Sequence, residues 1–172
     1  MKNSKLKFIP LGGVEEIGKN MYVYEYGDDI IVVDCGIAFP SEDMLGIDVV
    51  IADTTYLEEN KDKIRAFIIT HGHEDHIGGL PYIIKNFKDV PIYGSNISTA
   101  LIKSKLKSSG VKHAKIKNVK ARQNIELGEF TIRFLKVCHS IAGAFALAIT
   151  TPVGTIIHTG DFKVDYTPID GE

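Results

Sequence analysis

Apolar and polar positions along this sequence fall into short runs separated by glycine-marked turns. Residues 5–11, 20–26 and 30–34 have the β-branched and aromatic content of strands, and Gly27-Asp28-Asp29 predicts a hairpin turn between the last two. Residues 36–46 form a loop holding Pro40. Residues 54–63 predict a short helix, with Thr54 or Thr55 as its cap and Glu58 and Glu59 in its early turns. Ala66-Phe67-Ile68-Ile69-Thr70 shows no polar alternation, the pattern of a strand buried on both faces.

Residues 76–87 then predict a helix, followed by a short strand near 91–93. A second helix is expected over 95–108, capped by Ser95 or Asn96 and stopped near Gly110. The remainder reads as strands at 115–119, 130–137, 145–150 and 155–158, with Thr151-Pro152-Val153-Gly154 turning between the last two. Strands with interspersed helices, and no repeat, low-complexity tract or linker, predict an α/β (α+β layered) fold forming one domain over residues 1–172.

Composition agrees with that picture. At 172 residues, 44% apolar and 24% charged, the chain can bury a real core, which excludes disordered and collagen-like classes. No apolar run reaches the roughly 18 residues that span a bilayer. The basic start Met1-Lys2-Asn3-Ser4-Lys5-Leu6-Lys7 runs into a strand without an apolar signal core, so a cytoplasmic protein with no membrane association is expected. Two cysteines, Cys35 and Cys138, are too few for a disulfide framework and are read as small buried apolar residues.

The net charge of −2 is unevenly spread. Between Val90 and Ile125 there is no acidic residue, against Lys103, Lys105, Lys107, Lys112, Lys115, Lys117, Lys120 and Arg122. Such a stripe could touch a polyanion, although a solvated helix face followed by a solvated strand is the plainer reading.

The decisive chemistry lies in Thr70-His71-Gly72-His73-Glu74-Asp75-His76, which leaves the buried strand and precedes a helix. Ligands collect at such carboxyl ends of strands. Imidazole nitrogens and a carboxylate suit Zn2+ and its neighbours. His71 and His73 can converge on one cation if the segment stays extended, while Asp75 and His76 turn toward a second position. Gly72 permits the backbone to bend there. Glu74 is not required as a ligand. His139 and Asp161 share the same placement at or just past strand ends. Alone, His139 would more often be structural; with the other four it reads as a ligand, and Asp161 could bridge two cations roughly 3.5–4 Å apart.

His71-x-His73-x-Asp75-His76, followed by an isolated His and an isolated Asp, resembles the metallo-β-lactamase superfamily. Within it, His-Gly-His-Glu-Asp-His-Ile-Gly-Gly (71–79) is similar to the ribonuclease J branch of the β-CASP nucleases. So are Leu-Gly-Gly-Val-Glu-Glu-Ile-Gly-Lys-Asn (11–20), Asp-Cys-Gly-Ile (34–37) and His-Thr-Gly-Asp-Phe-Lys (158–163). The resemblance implies an αββα sandwich in which His71, His73 and His139 hold one metal, Asp75 and His76 the other, and Asp161 bridges them. Asp34 would orient the ligands; on spacing alone it could equally be a strand-end turn former. Two divalent ions, Zn2+ or Mn2+, would activate water for hydrolysis of RNA phosphodiesters in RNA processing and decay, as a 5′-to-3′ exonuclease, an endonuclease or both. RNA would be the partner and the full-length protein a homo-oligomer.

Ribonuclease J proteins are much longer, their metallo-β-lactamase domain being interrupted by a β-CASP domain before the chain returns to finish it. The resemblance therefore implies an N-terminal part of that domain, an incomplete sandwich with little nuclease activity alone. Its second metal would be held weakly for want of a further histidine. The competing readings are another hydrolase of the superfamily (a β-lactamase, a thioester hydrolase or a tRNA 3′ processing enzyme) and a metal-stabilised binding module without catalysis. The 11–20 and 161–163 stretches argue against the former, and the intact ligand set against the latter.

Overall fold

A computed structural model describes residues 5–168; the basic start of the chain, residues 1–4, lies outside the described residues. The chain opens with three antiparallel strands, β1 (Leu6–Gly12), β2 (Met21–Tyr26) and β3 (Asp29–Val33), the turn between the last two falling at Gly27–Asp28. Two short strands, β4 (Ile37–Ala38) and β5 (Val50–Ile51), pair with each other inside a segment whose first part the sequence predicts as loop alone. Two residues are too few to leave a periodic signal.

The helix expected over 54–63 is instead α1 (Thr55–Glu59) followed by a 3-10 turn, Lys61–Lys63. Neither threonine caps it. Asp53 does the equivalent work just upstream, its Oδ1 accepting from the Thr55 amide and hydroxyl at 2.8 and 2.6 Å. Strand β6 (Ile64–Ile68) follows, and its carboxyl end feeds α2 (Glu74–Ile77), α3 (Leu80–Ile83) and a 3-10 turn, Ile84–Asn86. The single helix expected over 76–87 is thus broken in two and begins earlier. The break falls at Gly78-Gly79, where the Gly79 amide donates to the Cys35 carbonyl at 2.8 Å.

Next come β7 (Ile92–Gly94) and α4 (Asn96–Ser108), capped as expected by Ser95, whose hydroxyl accepts from the Ser98 amide at 3.2 Å. The chain continues through β8 (Ile116–Asn118), β9 (Asn124–Leu127), β10 (Phe130–Lys136), β11 (Phe145–Thr151) and β12 (Gly154–His158). Of these, β9 has no counterpart in the sequence pattern: Asn-Ile-Glu-Leu is short and only partly buried.

Six strands form one sheet in the order β1-β2-β3-β6-β7-β8, and four form a second, β12-β11-β10-β9. The first is antiparallel from β1 to β3 and parallel from β3 to β8. Alternation along β3 shows how the layers are made. Ile30 and Val32 join Met21, Phe67, Leu80, Phe87 and Ile102 under the helices. Ile31 and Val33 point the other way and pack with Ala66 and Ile68 against Phe130, Ile132, Phe134 and Leu147 of the second sheet. All five residues of β3 are buried, as its unbroken apolar run requires. At about 25 cal/mol per Å2, each fully buried Phe or Ile side chain contributes on the order of 1.5–3 kcal/mol.

The layers are thus a helical layer, a mixed sheet and a second sheet. No helix covers the outer face of the second sheet among the described residues, and none of the described helices is long and apolar enough to cross a membrane.

Both sheets direct one set of strand ends to a common edge. In the first sheet, β3 and β6 are parallel and finish there. In the second, β10 and β12 both run antiparallel to β11, so they finish together as well. The Phe145 amide at the start of β11 donates to the Thr70 carbonyl at 2.9 Å, tying the two sheets at that edge.

Candidate metal centre

Asp34 follows β3 with φ at 61°, a left-handed conformation that Asp tolerates better than most residues. The turn drives its carboxylate under the neighbouring strand end, where it is wholly buried. Oδ1 accepts from the Thr70 amide at 2.8 Å, and Oδ2 accepts from the Thr70 hydroxyl and from His76 Nδ1, each at 2.8 Å. Asp34 thus sits in a strand-end turn and contacts both Thr70 and His76.

The Asp34 contacts settle which ring nitrogens carry protons. His76 Nδ1 donates to a carboxylate, which leaves Nε2 for a ligand. The Thr70 hydroxyl has its proton committed to Asp34, so its oxygen accepts from His71 Nδ1 at 3.1 Å and His71 Nε2 is freed. His71 and His76 are 0% and 2% exposed, so neither ring can turn to water for a substitute partner.

His71 Nε2 lies 3.0 Å from His73 Nδ1, which lies 3.2 Å from His139 Nε2. The segment stays extended through His73 before α2 begins, as convergence of alternate residues demands. At Gly72 a side chain would be an obstruction: a Cβ there would press on Leu101 Cδ1 of α4 at 2.6 Å. Gly36 shows the same requirement more severely, since a Cβ there would overlap the Asp75 carbonyl oxygen.

Asp75 and His76 occupy the first turn of α2. His76 Nε2 is 3.5 Å from Asp75 Oδ2 and 3.5 Å from Asp161 Oδ2, and the latter oxygen is 3.7 Å from His139 Nε2. Asp161 thus stands between the two histidine groups. The structure brings His71, His73, His76, His139 and Asp161 together, with Asp34 behind His76 and Asp75 at the side. Two clusters have ligand atoms within 4.8 Å of one another: His71, His73 and His139, and His71, His76 and Asp161. Asp75 lies outside both and touches the second through His76 alone.

Electrostatics match this grouping. Burial pushes the His71 imidazolium down to about 3, with the His76 charge adding to the effect. Burial works against His76 too, but the Asp34 carboxylate and hydrogen bonds to Asp161 and Asp34 outweigh it and raise the group to about 10. Asp161 is lowered to about 2, chiefly by its hydrogen bond with His76. Asp34 stays ionised despite burial because His76 faces it. Four imidazoles converge with the Asp161 carboxylate, and Asp75 stands beside His76. That donor set fits borderline divalent cations.

Several contributors carry no signal of their own in the sequence. Thr70 relays Asp34 to His71. Asn20 donates from Nδ2 to the Asp75 carbonyl and to Oδ2 at 3.1 and 3.2 Å. His158, lowered by burial, meets the Tyr24 hydroxyl at 3.0 Å, and with Tyr22, Gly160 and Asp161 it lines a cleft beside His76. Thr70, Asn20 and His158 all lie within or beside the quoted motifs, but their roles depend on contacts across strands.

Glu74 is a salt-bridge partner of Lys105 on α4, at 2.7 Å. Other members of the basic stretch are also engaged: Lys115 with Asp89 at 3.0 Å and Lys117 with the Tyr93 hydroxyl at 3.2 Å. Lys103, Lys107 and Lys112 line a separate cavity with Leu106 and Ile116. Cys35 is buried with its thiol pushed up by burial, whereas Cys138 is half-buried, more exposed than expected. A cavity between Glu58, Arg65 and Lys88 adjoins the amino ends of β6 and β7, away from these residues.

Comparison with known proteins places this geometry. The sequence model of the Metallo-beta-lactamase superfamily matches residues 14–169. Ribonuclease J of Synechocystis sp. is 50% identical over 170 residues, covering 97% of this chain and 26% of the relative. Ribonuclease J of Helicobacter pylori is 49% identical over 172 residues, covering 98% and 25%. That of Thermus thermophilus is 44% identical, covering 97% and 30%. The chain thus spans about a quarter of the length of these relatives. Among solved structures, a protein of unknown function from Enterococcus faecalis superposes with a TM-score of 0.73 at 21% identity, covering 92% of this chain and 44% of that one. The metallo-beta-lactamase fold protein YhfI of Bacillus subtilis gives 0.63 at 24% identity, covering 94% and 64%. At these identities the likeness is one of fold.

Proposed function

The chain belongs to the metallo-β-lactamase superfamily, and from that premise we propose that it forms part of a two-metal ribonuclease hydrolysing RNA phosphodiester bonds in RNA processing and decay. The observation that carries this reading is the convergence of His71, His73, His139, His76 and Asp161 at one edge of both sheets. Identity to ribonucleases J over nearly the whole chain supports RNA as the substrate.

His71, His73 and His139 would hold one divalent ion, zinc or manganese, Asp75 and His76 would hold the second, and Asp161 would be shared between them. When bound, the ions supply a water acidic enough to attack phosphorus near neutral pH and positive charge against the phosphate oxygens. The protein's own part is orientation. Asp34 fixes the His76 ring directly and the His71 ring through Thr70, so that both present Nε2 to the centre. Burial of both rings keeps competing water from behind them. Attack by water needs no nucleophilic side chain, and Cys35 is buried with its thiol held protonated.

Cleavage of a 5′-monophosphorylated RNA by the full-length protein, of which this chain would be one part and alone only weakly active, tests the reading when it is purified with manganese or zinc. Wild type is expected to cleave it, with a loss of at least about 100-fold in Asp75→Ala. A wild type that leaves RNA intact with both ions bound, or that instead hydrolyses a β-lactam or a thioester, overturns it.

A further inference from the structure

Asn20, the residue before β2, makes an unusual number of contacts with the ligand loop on α2. Its backbone amide donates to the Asp75 carbonyl at 3.0 Å, and its own carbonyl accepts from the Gly36 amide at 3.0 Å. Its side chain repeats the reach. Nδ2 lies 3.1 Å from the Asp75 carbonyl, 3.2 Å from Asp75 Oδ2 and 3.2 Å from His76 Nε2.

The amide can be assigned a direction on chemistry alone. Both Asp75 atoms are acceptors only, so the nitrogen must face them and Oδ1 must face away. Oδ1 then accepts from the Tyr22 hydroxyl at 2.8 Å. That hydroxyl also lies 3.2 Å from the Gly13 carbonyl, and the Tyr22 ring stacks on Phe8 with centroids 6.0 Å apart. The carboxamide is therefore held from behind and cannot flip without losing a bond at each end.

Asp75 needs such a hold. Its side chain is about one-third exposed, and it is the one proposed ligand outside both compact clusters. Asp34 orients His71 and His76, but no hydrogen bond from Asp34 reaches the Asp75 carboxylate. Asn20 supplies the side-chain N–H that does.

We propose that Asn20 is a positioning residue for the second ion: its carboxamide N–H sets the Asp75 carboxylate so that Oδ2 meets His76 Nε2, and the Tyr22 hydroxyl locks that carboxamide in place. The proposal rests on the reading that Asp75 and His76 hold an ion. Neither Asn20 nor Tyr22 is itself a ligand. Because the backbone bonds between residues 20, 36 and 75 survive removal of the side chain, Asn20→Ala loosens the carboxylate without undocking the loop.

Manganese binding to the purified chain, followed by paramagnetic resonance and calorimetry, provides the test. Wild type, Asn20→Ala, Tyr22→Phe, Asp75→Ala and His73→Ala are compared. Removal of a partner that orients a ligand typically weakens metal binding about 10–100-fold. Asn20→Ala is expected to weaken the Asp75-dependent ion by that amount and leave the His73-dependent ion within about twofold. Tyr22→Phe, which keeps the ring against Phe8, is expected to weaken the same ion by a smaller factor. Asn20→Ala binding both ions as wild type does, or losing both equally, overturns the proposal while the site reading stands. If no ion in wild type is sensitive to Asp75→Ala, the site reading falls and the proposal with it.

Discussion

Asp34 Oδ2 accepts from His76 Nδ1 at 2.8 Å, and neither side chain reaches solvent: Asp34 is 0% exposed and His76 2%. A buried pair of this kind is worth little against an apolar replacement of both partners, but breaking it from one side is costly. Asp34→Ala would strand His76 and the Thr70 hydroxyl together. A loss of about 3–5 kcal/mol in metal-free stability is expected. Both ions should also bind more weakly, by about 10–100-fold. Denaturant unfolding and metal titration check the two effects separately. Unchanged stability would mean that water replaces the carboxylate.

His73 belongs to the histidine cluster and to no Asp34 contact. His73→Ala should therefore fold normally but lose the firmly held ion by elemental analysis of the purified chain, while the effect of Asp75→Ala on the weaker ion is read by titration with added metal. Equal metal content in wild type and His73→Ala would remove His73 from the ligand set.

The metal-free chain carries a proton on His76 up to about pH 10, because Asp34 and Asp161 outweigh burial. That stabilisation is full below the ordinary histidine value of 6.5 and disappears as pH rises through about 10. A cation at Nε2 must displace the same proton. Affinity for the His76-dependent ion should then rise with pH, by up to about tenfold per unit while one proton is released. His71, already pushed down to about 3, adds no such dependence near neutrality. Calorimetry in two buffers of different protonation enthalpy reads the released proton directly.

Phe67 is wholly buried in β6, edge-on to Phe87 with ring centroids 5.8 Å apart. It holds the helical layer on the sheet directly behind the ligand loop. Phe67→Ala is expected to cost about 3–5 kcal/mol, measured as a shift in denaturant midpoint with little change in slope. A cost below about 1 kcal/mol would mean that the helices repack into the space.

The proposed ligands are legible in the sequence because most are clustered and strand-terminal: four lie between residues 71 and 76, and imidazole and carboxylate at that spacing have few other uses. The unbroken apolar run ending at Thr70 marks a buried strand, and its carboxyl end is where they must sit. Asn20 is not legible as a participant. A neutral amide has no metal signature, and its partner Asp75 is 55 residues away. The helix expected over 76–87 fails for a related reason. Its apolar spacing is helical, but Gly78-Gly79 passes beneath Cys35 and Gly36, and that approach interrupts the helix. The role of Gly72 is hidden likewise, because Leu101 arrives from a helix whose packing direction the sequence does not reveal.

The overlap that any side chain at Gly36 would create has a kinetic meaning. The Asn20 and Cys35 amides clasp the Asp75 and His76 carbonyls at 3.0 and 2.8 Å, and the Gly36 and Gly79 amides in turn donate to the Asn20 and Cys35 carbonyls at 3.0 and 2.8 Å, so that four main-chain hydrogen bonds tie three distant stretches together. The ligand loop therefore cannot swing open on its own; it opens only when the end of the central strand opens with it. Amide hydrogen exchange at Cys35 and Gly36 should be as slow as in the sheet interior, and the escape of a captured ion should keep the same slow clock.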